Sequence, residues 1–282
     1  MSGPMMITYY NANGASIVLN QGNYLVSVND LRDFTWDYIA TGRPTGFGGR
    51  VTFNRPVQEK HLTLGIRGAT AAEFNVNAAA LNALTEPDIL NHTPGRLYMG
   101  DQYLTCYLSS SSRVLIHSRR GNWVSKDLTL IITEPFWHTE TTQRYLKGAP
   151  AGALDPKRYN LRYPFRYISN TSSGTFINSH YSTSPMVITI YDAATDPTIT
   201  IGGKIYALTA TIVDGWKIII DQLTRTIVSV SATGAETNLF DYRDKANDIF
   251  EPMQPGSNTV IYTGAFTFDI AAIAQRSEPT WI

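Results

Sequence analysis

Phe250-Glu-Pro-Met-Gln-Pro-Gly-Ser-Asn258, then Thr259-Val-Ile-Tyr262 and Ala265-Phe-Thr-Phe-Asp-Ile270, is the stretch whose reading decides the fold. Pro255-Gly256 signals a type II turn, because proline fixes φ at the first central position and glycine accepts positive φ at the second. The two runs that follow are rich in β-branched and aromatic residues and read as a closing strand pair. The chain then reaches Arg276-Ser-Glu-Pro-Thr-Trp-Ile282. A strand pair followed by a tryptophan anchor ties the end of the chain into a sheet.

Working backwards, the same grammar fills the second half. Pro185 to Tyr191 is strand-like, and Thr198–Ile201 and Lys204–Leu208 flank Gly202-Gly203, a two-residue hairpin signal. Asp214-Gly215 precedes Trp216–Ile220, and Asp221-Gln-Leu-Thr224 turns the chain into Arg225–Val230. About six or seven short strands with turn residues between them predict a β-sandwich of about 120 residues.

The first half is also β-rich. Ser16–Leu19 and Tyr24–Val28 are short strands, split by a hairpin-like connection at Asn20-Gln-Gly-Asn23. Thr41 to Arg50, with Gly42, Gly46, Gly48, Gly49 and Pro44, reads as a protruding loop. Alternation from His61 to Ile66 places Leu62, Leu64 and Ile66 on one face. One helix follows: Thr70-Ala-Ala-Glu73 is a capping box, Phe74, Ala78, Leu81 and Leu84 recur at helical spacing, and Pro87 is expected to stop the run. Pro94-Gly95, read as a second type II turn, leads to strands at Arg96–Met99, Tyr103–Leu108, Arg113–His117 and Trp123–Thr133. Regular patterning ends at Glu134-Pro-Phe-Trp-His138, and Thr139 to about Tyr163 reads as a linker of small residues, Pro and Gly. The expected organisation is a mainly β chain of two antiparallel sandwiches: residues 1–138 with one packed helix, a linker at 139–163, and residues 164–282.

Composition narrows the function classes. Lys+Arg and Asp+Glu are equal at 23 each, so no basic excess draws the chain to nucleic acid. Charged residues are only 16% while tyrosine reaches 16 copies, a mixture that suits sheets and contact surfaces. Near-zero net charge opposes self-association only weakly. The single Cys106 excludes an internal disulfide and a cysteine zinc site, and its place beside Leu104 and Leu108 predicts a buried small hydrophobe. Neither a signal peptide nor a membrane-length apolar run is expected, which points to synthesis in a reducing cytoplasm.

Chemistry-bearing motifs are scarce. No G-x-S-x-G elbow is present, and the glycines at 42–49 lack the context of a nucleotide loop. His61, His92, His117, His138 and His180 show no metal-ligand spacing. Asp241, Asp244 and Asp248 fall near one helical face, but Arg243 and Lys245 among them make a solvated, neutral surface the simpler reading. Asp192 and Asp196 read as turn residues beside Pro197. Trp216, Tyr206 and Tyr262 are candidates for stacking on sugar rings, against the reading that they fill a core or an inter-subunit contact. The sequons at Asn91 and Asn170 carry no meaning for a chain kept in a reducing cytoplasm. No catalytic, cofactor-binding or metal-binding residue is assigned, and the chain is not expected to be an enzyme.

Asn178 with Ser184-Pro-Met-Val-Ile-Thr-Ile190, Asp196-Pro-Thr-Ile199, Ile212 to Asp221 with Arg225-Thr-Ile227, and Phe250 to Tyr262 resemble, in order and spacing, the distal tail proteins of phages and prophages of Gram-positive bacteria. Pro94 to Tyr107 and Glu134-Pro-Phe-Trp137 extend the resemblance over nearly the whole chain. The resemblance implies an N-terminal belt domain that closes into a ring, usually a hexamer, and a C-terminal galectin-like sandwich outside it. It implies a virion part at the tail tip or baseplate, made in the host cytoplasm. Its partners would be the tail-tube protein, the tail-associated hub protein and receptor-binding proteins, with no nucleic acid or membrane partner and no cofactor. The ring contacts are expected from the first half, so that truncation after about residue 138 should still assemble. A galectin sugar site needs His-x-Asn-x-Arg; Arg158-Tyr-Asn-Leu-Arg162 lacks the histidine. The alternative function is a β-sandwich module that binds cell-wall glycans.

Overall fold

The computed structural model describes residues 6–42, 48–116, 122–148 and 172–280. The chain folds into two units, Met1–Thr139 with Gln275–Ile282, and Glu140–Ala274. It therefore enters the second unit once and returns to the first. This differs from two consecutive sandwiches at 1–138 and 164–282. Residues 140–145 are strand and not linker, and residues 275–282 belong with the first unit. A fragment ending at residue 138 would lack that returning segment. The remainder of the expected linker, 149–163, lies outside the described residues.

The first unit contains β1 (Ile7–Tyr10), β2 (Ser16–Val18), β3 (Tyr24–Asn29), β4 (Asp37–Gly42), β5 (Gly49–Asn54), β6 (Gln58–Arg67), α1 (Ala71–Leu90), β7 (Gly95–Met99), β8 (Gln102–Ile116) and most of β9 (Trp123–Tyr145). All strands except β4 and β5 form one antiparallel sheet, in the order β2-β1-β7-β8-β9-β6-β3. The period-two pattern builds its inner face: Leu62, Leu64 and Ile66, Leu104, Cys106 and Leu108, and Leu128, Leu130 and Ile132 are all buried in one cluster. Helix α1 packs against β2, β6 and β8.

The helix starts as the capping box predicts. Thr70 Oγ1 accepts the Glu73 N–H at 3.1 Å, and the Glu73 carboxylate reaches back to the Ala69 N–H at 2.7 Å. It does not stop at Pro87 but runs through to Leu90. A proline removes one N–H and crowds the carbonyl four residues back, but here the last turn is held from outside. Buried Asp88 accepts the Tyr9 hydroxyl at 2.6 Å and the Ala12 N–H at 2.9 Å, which pins the β1–β2 hairpin to the helix end.

Three further local readings change. Asn20–Asn23 is not a hairpin, because β2 pairs with β1 and β3 pairs with β6. The turn lies instead at residues 11–15, where the Asn11 side chain accepts the N–H groups of Asn13 and Ala15 and Gly14 has φ 83°. Gly95 is not a turn glycine but the buried first residue of β7. A Cβ there would sit 2.4 Å from the Tyr9 hydroxyl, so glycine is required by close approach. Finally, β9 passes through Pro135 instead of ending near it. The register with β8 shifts on either side of the Thr105–Glu134 pair, and such an irregularity is where a strand tolerates proline.

The second unit contains β10 (Ser172–Asn178), β11 (Met186–Tyr191), β12 (Ala194–Thr195), β13 (Thr198–Ile201), β14 (Lys204–Ala207), β15 (Thr211–Ile212), β16 (Lys217–Asp221), β17 (Thr226–Val230), β18 (Glu236–Asn238), β19 (Gly256–Tyr262) and most of β20 (Thr267–Arg276). It is a sandwich of β18-β17-β16-β11-β20 over β10-β19-β13-β14. Ile188, Ile218, Ile220, Ile227 and Phe268 from the first sheet share a buried core with Phe176, Ile199, Tyr206 and Val260 from the second. Gly202 and Gly203, at φ 56° and 84°, make the turn that matches strand twist in a two-residue hairpin. The two closing strands, β19 and β20, do not pair with each other. Each lies in a different sheet, β19 between β10 and β13 and β20 beside β11.

Candidate functional site

Among the described residues of the first unit, both strands of the hairpin β4–β5 are exposed along their whole length. Sequence reading took residues 41–50 as a loop; strands in fact reach Gly42 and resume at Gly49, and residues 43–47 lie outside the described residues. Tyr38 pairs with Phe53, Ala40 with Val51 and Gly42 with Gly49. Directly opposed residues share a face, so these pairs make an apolar side, while Asp37, Asn54, Thr52, Thr41 and Arg50 fall with Ile39 on the other. The hairpin forms a two-stranded sheet of its own. Tyr38 is 66% exposed, Phe53 63% and Val51 49%. A Cβ at Gly49 would lie 2.4 Å from the Thr41 carbonyl oxygen, so the pairing near the tip is tight.

The base of the hairpin is fixed. The Arg55 guanidinium lies 4.7 Å from the Phe136 ring, 5.3 Å from Trp36 and 5.9 Å from Phe34, and Trp36 packs edge-on against Phe136 at 5.9 Å. Burial lowers the Arg55 pKa from its ordinary value. Lys60, also buried, donates to the carbonyls of Asp30 and Asp33, which hold the chain entering the hairpin. Its pKa is lowered, chiefly by burial and also by Arg55, against the raising effect of Asp30 and Asp33. Gln58 Nε2 donates to the Thr35 carbonyl at 2.8 Å. A rigid base therefore carries an uncovered apolar blade. Among the described residues β3 pairs only with β6, and Leu25 and Val28 on it are exposed. Sequence reading missed this surface. Its one available signal was the alternation of Tyr38 and Ala40 ahead of the glycine cluster.

The residues weighed for chemistry are scattered. Cys106 is fully buried, with its thiol pushed up to about 12 by burial. His61 and His92 are exposed, His180 is buried with Nδ1 3.0 Å from Ser182 Oγ, and His117 lies outside the described residues. His138 is buried and held down at about 4, first by burial and then by Arg96. Among the described residues no three His, Cys, Asp or Glu gather as metal ligands. Asp241, Asp244 and Asp248 do not share an α-helical face. Phe240–Tyr242 is a single 3₁₀ turn, while Asp244 and Asp248 accept the N–H groups of Ala246 and Phe250 two residues on. Asp192 and Asp196 are turn residues at φ 66° and 47°. Tyr206 and Tyr262 point into the sandwich core, where they donate to the Glu251 and Leu146 carbonyls; Trp216 alone of the three is exposed. Arg158–Arg162 lies outside the described residues.

No family model and no curated protein matches the sequence. Solved structures do. The SPP1 Dit protein, described as a paradigm of the hub adsorption apparatus in phages infecting Gram-positive bacteria, superposes with a TM-score of 0.59 at 13% identity, over 95% of this chain and 98% of that one. A chain of the phage P2 baseplate, in its activated conformation with Ca, gives 0.61 at 12% identity over 98% and 100%. The same baseplate with Sr gives 0.61 at 14% identity over 98% and 100%. The chain thus shares its fold, over nearly its whole length, with the Dit and baseplate proteins of these phages.

Proposed function

We propose that the protein is a structural ring component of a phage tail tip or baseplate. The observation that carries this reading is the apolar face of β4–β5, which has a fixed base and nothing among the described residues of its own unit laid over it. A two-stranded hairpin is marginally stable alone in water, and a contiguous apolar face in a soluble protein marks an interaction site. A second copy of this chain is the occupant. A head-to-tail ring gives every blade a receiving surface on the next subunit and leaves none unpaired. Equal numbers of positive and negative residues let copies approach without net repulsion.

The fold shared with the Dit and baseplate proteins supports placing the ring at the tail tip, as a hexamer between the tail tube and the tail-associated hub, with receptor-binding proteins attached. On this reading the second, galectin-like unit stands outside the ring, and the protein acts by assembly and not by catalysis. Light scattering on the purified chain tests it. A mass of about 188 kDa, six times the 31.3 kDa chain, is expected, and a Tyr38→Asp, Phe53→Asp double variant should stay monomeric. A wild-type ring that the double variant forms equally well would remove the hairpin from the contact. A monomer at every concentration, together with affinity for cell-wall polysaccharide, would favour the glycan-binding alternative.

A further inference from the structure

The outer face of the first unit's sheet carries a row of rings. Tyr98 of β7, Tyr103 of β8 and His138 of β9 are cross-strand neighbours, with centroids 5.2 Å apart at each step. Tyr10 of β1 packs edge-on to Tyr98, also at 5.2 Å. The Tyr10–Tyr98 end is open, forming with Arg96 and Met6 part of the lining of a cleft of about 750 Å³. At the other end the rings are sealed, and His138 is only 1% exposed. Residues 275–280, which belong to this unit, run past them. Gln275 Nε2 lies 3.3 Å from His138 Nε2, and Gln102 Oε1 accepts the Thr280 N–H at 2.8 Å.

Burial and the nearby Arg96 favour the neutral form of His138. Its Nε2 accepts the Gln275 amide N–H, and its buried Nδ1 has no hydrogen-bond partner among the described residues. Glu134 Oε2 on the same strand lies 3.6 Å from Nε2, too long for a hydrogen bond, and being 41% exposed it attracts a charged ring only through solvent screening. From β7 comes a cation, Arg96, whose guanidinium lies 4.7 Å from the Tyr103 ring. The covering segment adds Arg276 and Glu278, and β8 adds the phenol of Tyr103. A proton taken up in place would set a charged donor against Gln275's own donor, with Arg96 close by and the ring shielded from solvent. The same proton is well tolerated once the ring meets solvent.

We propose that protonation of His138 unlatches residues 275–280 from the sheet, making this segment an acid-released strap over the Tyr103–His138 face. The sign follows from linkage. A histidine held at about 4 when closed and at its ordinary 6.5 when open favours the open form increasingly as pH falls through 6.5, and the effect levels off below about 4.

Hydrogen exchange on the full chain, corrected for the intrinsic pH dependence of exchange, tests the strap. Between about pH 7.5 and pH 5 the protection of residues 276–280 is expected to fall about thirtyfold in the wild type and less than about twofold in His138→Gln. That variant keeps a neutral polar side chain that cannot titrate. Protection unchanged with pH overturns the proposal, as does an equal loss in His138→Gln, which would place the trigger at another group. NMR titration of the wild-type imidazole keeps the test independent of the variant's folding. While the strap is mostly closed the ring should titrate well below the ordinary 6.5, toward about 4; a ring that titrates at its ordinary value while the segment stays protected overturns the proposal.

Discussion

Two hairpins of this chain obey the same local rules and end in opposite situations. β16–β17 turns on Asp221, whose carboxylate accepts the Leu223 N–H at 2.8 Å, and on Arg225 at φ 54°. Its Ile218, Ile220 and Ile227 are buried against the facing sheet. β4–β5 is in register over six residue pairs and presents Tyr38, Ala40, Val51 and Phe53 on one side, yet no residue of either strand is buried. Alternation therefore encodes that a face exists, not what covers it. For β16–β17 the cover lies within its own sandwich. For β4–β5 no strand or helix among the described residues of the first unit supplies it.

The largest expected effect is on the covered hairpin. Ile220→Ala removes a fully buried side chain from the sandwich core and should destabilise the second unit by about 2–5 kcal/mol in urea denaturation. A loss under about 1 kcal/mol would mean that the core collapses around the gap, and that burial distinguishes the two hairpins less than their exposure implies. The β13–β14 turn gives a smaller, two-position test. Gly203 has φ 84° with open space around its Cβ position, so Gly203→Ala should cost about 1 kcal/mol, from backbone conformation alone. At Gly202 a Cβ would lie 2.6 Å from Asn258 Oδ1, in a buried side chain that also bonds the Gln254 and Gly256 carbonyls. Gly202→Ala should cost more than Gly203→Ala in the same assay. Equal losses would show that Asn258 yields freely and that the turn alone sets the hairpin's stability.

These contrasts also mark what could be read from the sequence. The mainly β class, the capped helix, the inner faces at Leu62–Ile66 and Leu128–Ile132 and the Gly202-Gly203 turn all rest on interactions within a few residues, and those are legible. Pairing partners are not. Asn20–Asn23 looks like a hairpin because its flanks are β-prone, but both flanking strands find partners elsewhere, in Ile7–Tyr10 and Gln58–Arg67. Gly95 carries a turn's signature beside Pro94, although its reason for being glycine is Tyr9, far away in sequence. The closing strands are adjacent in the chain and separated in the sandwich. The Arg55 ring cage gathers residues 34, 36, 55 and 136, a set that no local pattern assembles.

The smallest expected effect on folding is the one that most sharpens the comparison. Phe53 faces Tyr38 across the hairpin, and a directly opposed aromatic pair contributes about 0.2–1 kcal/mol. Phe53→Ala should therefore lower monomer stability by less than about 1 kcal/mol, where truncating Ile220 costs several times that. Its effect should fall on association, because the side chain lost is 63% exposed in the single chain and its apolar area matters only once another surface meets it. Urea denaturation under dissociating conditions reads the first quantity, and light scattering at rising concentration reads the second. A folding loss of about 2 kcal/mol or more would show that Phe53 is already covered within one chain, and the two hairpins would then differ in degree and not in kind. A small loss with a shifted association midpoint makes the exposed face an interface that the chain leaves for its neighbour to complete.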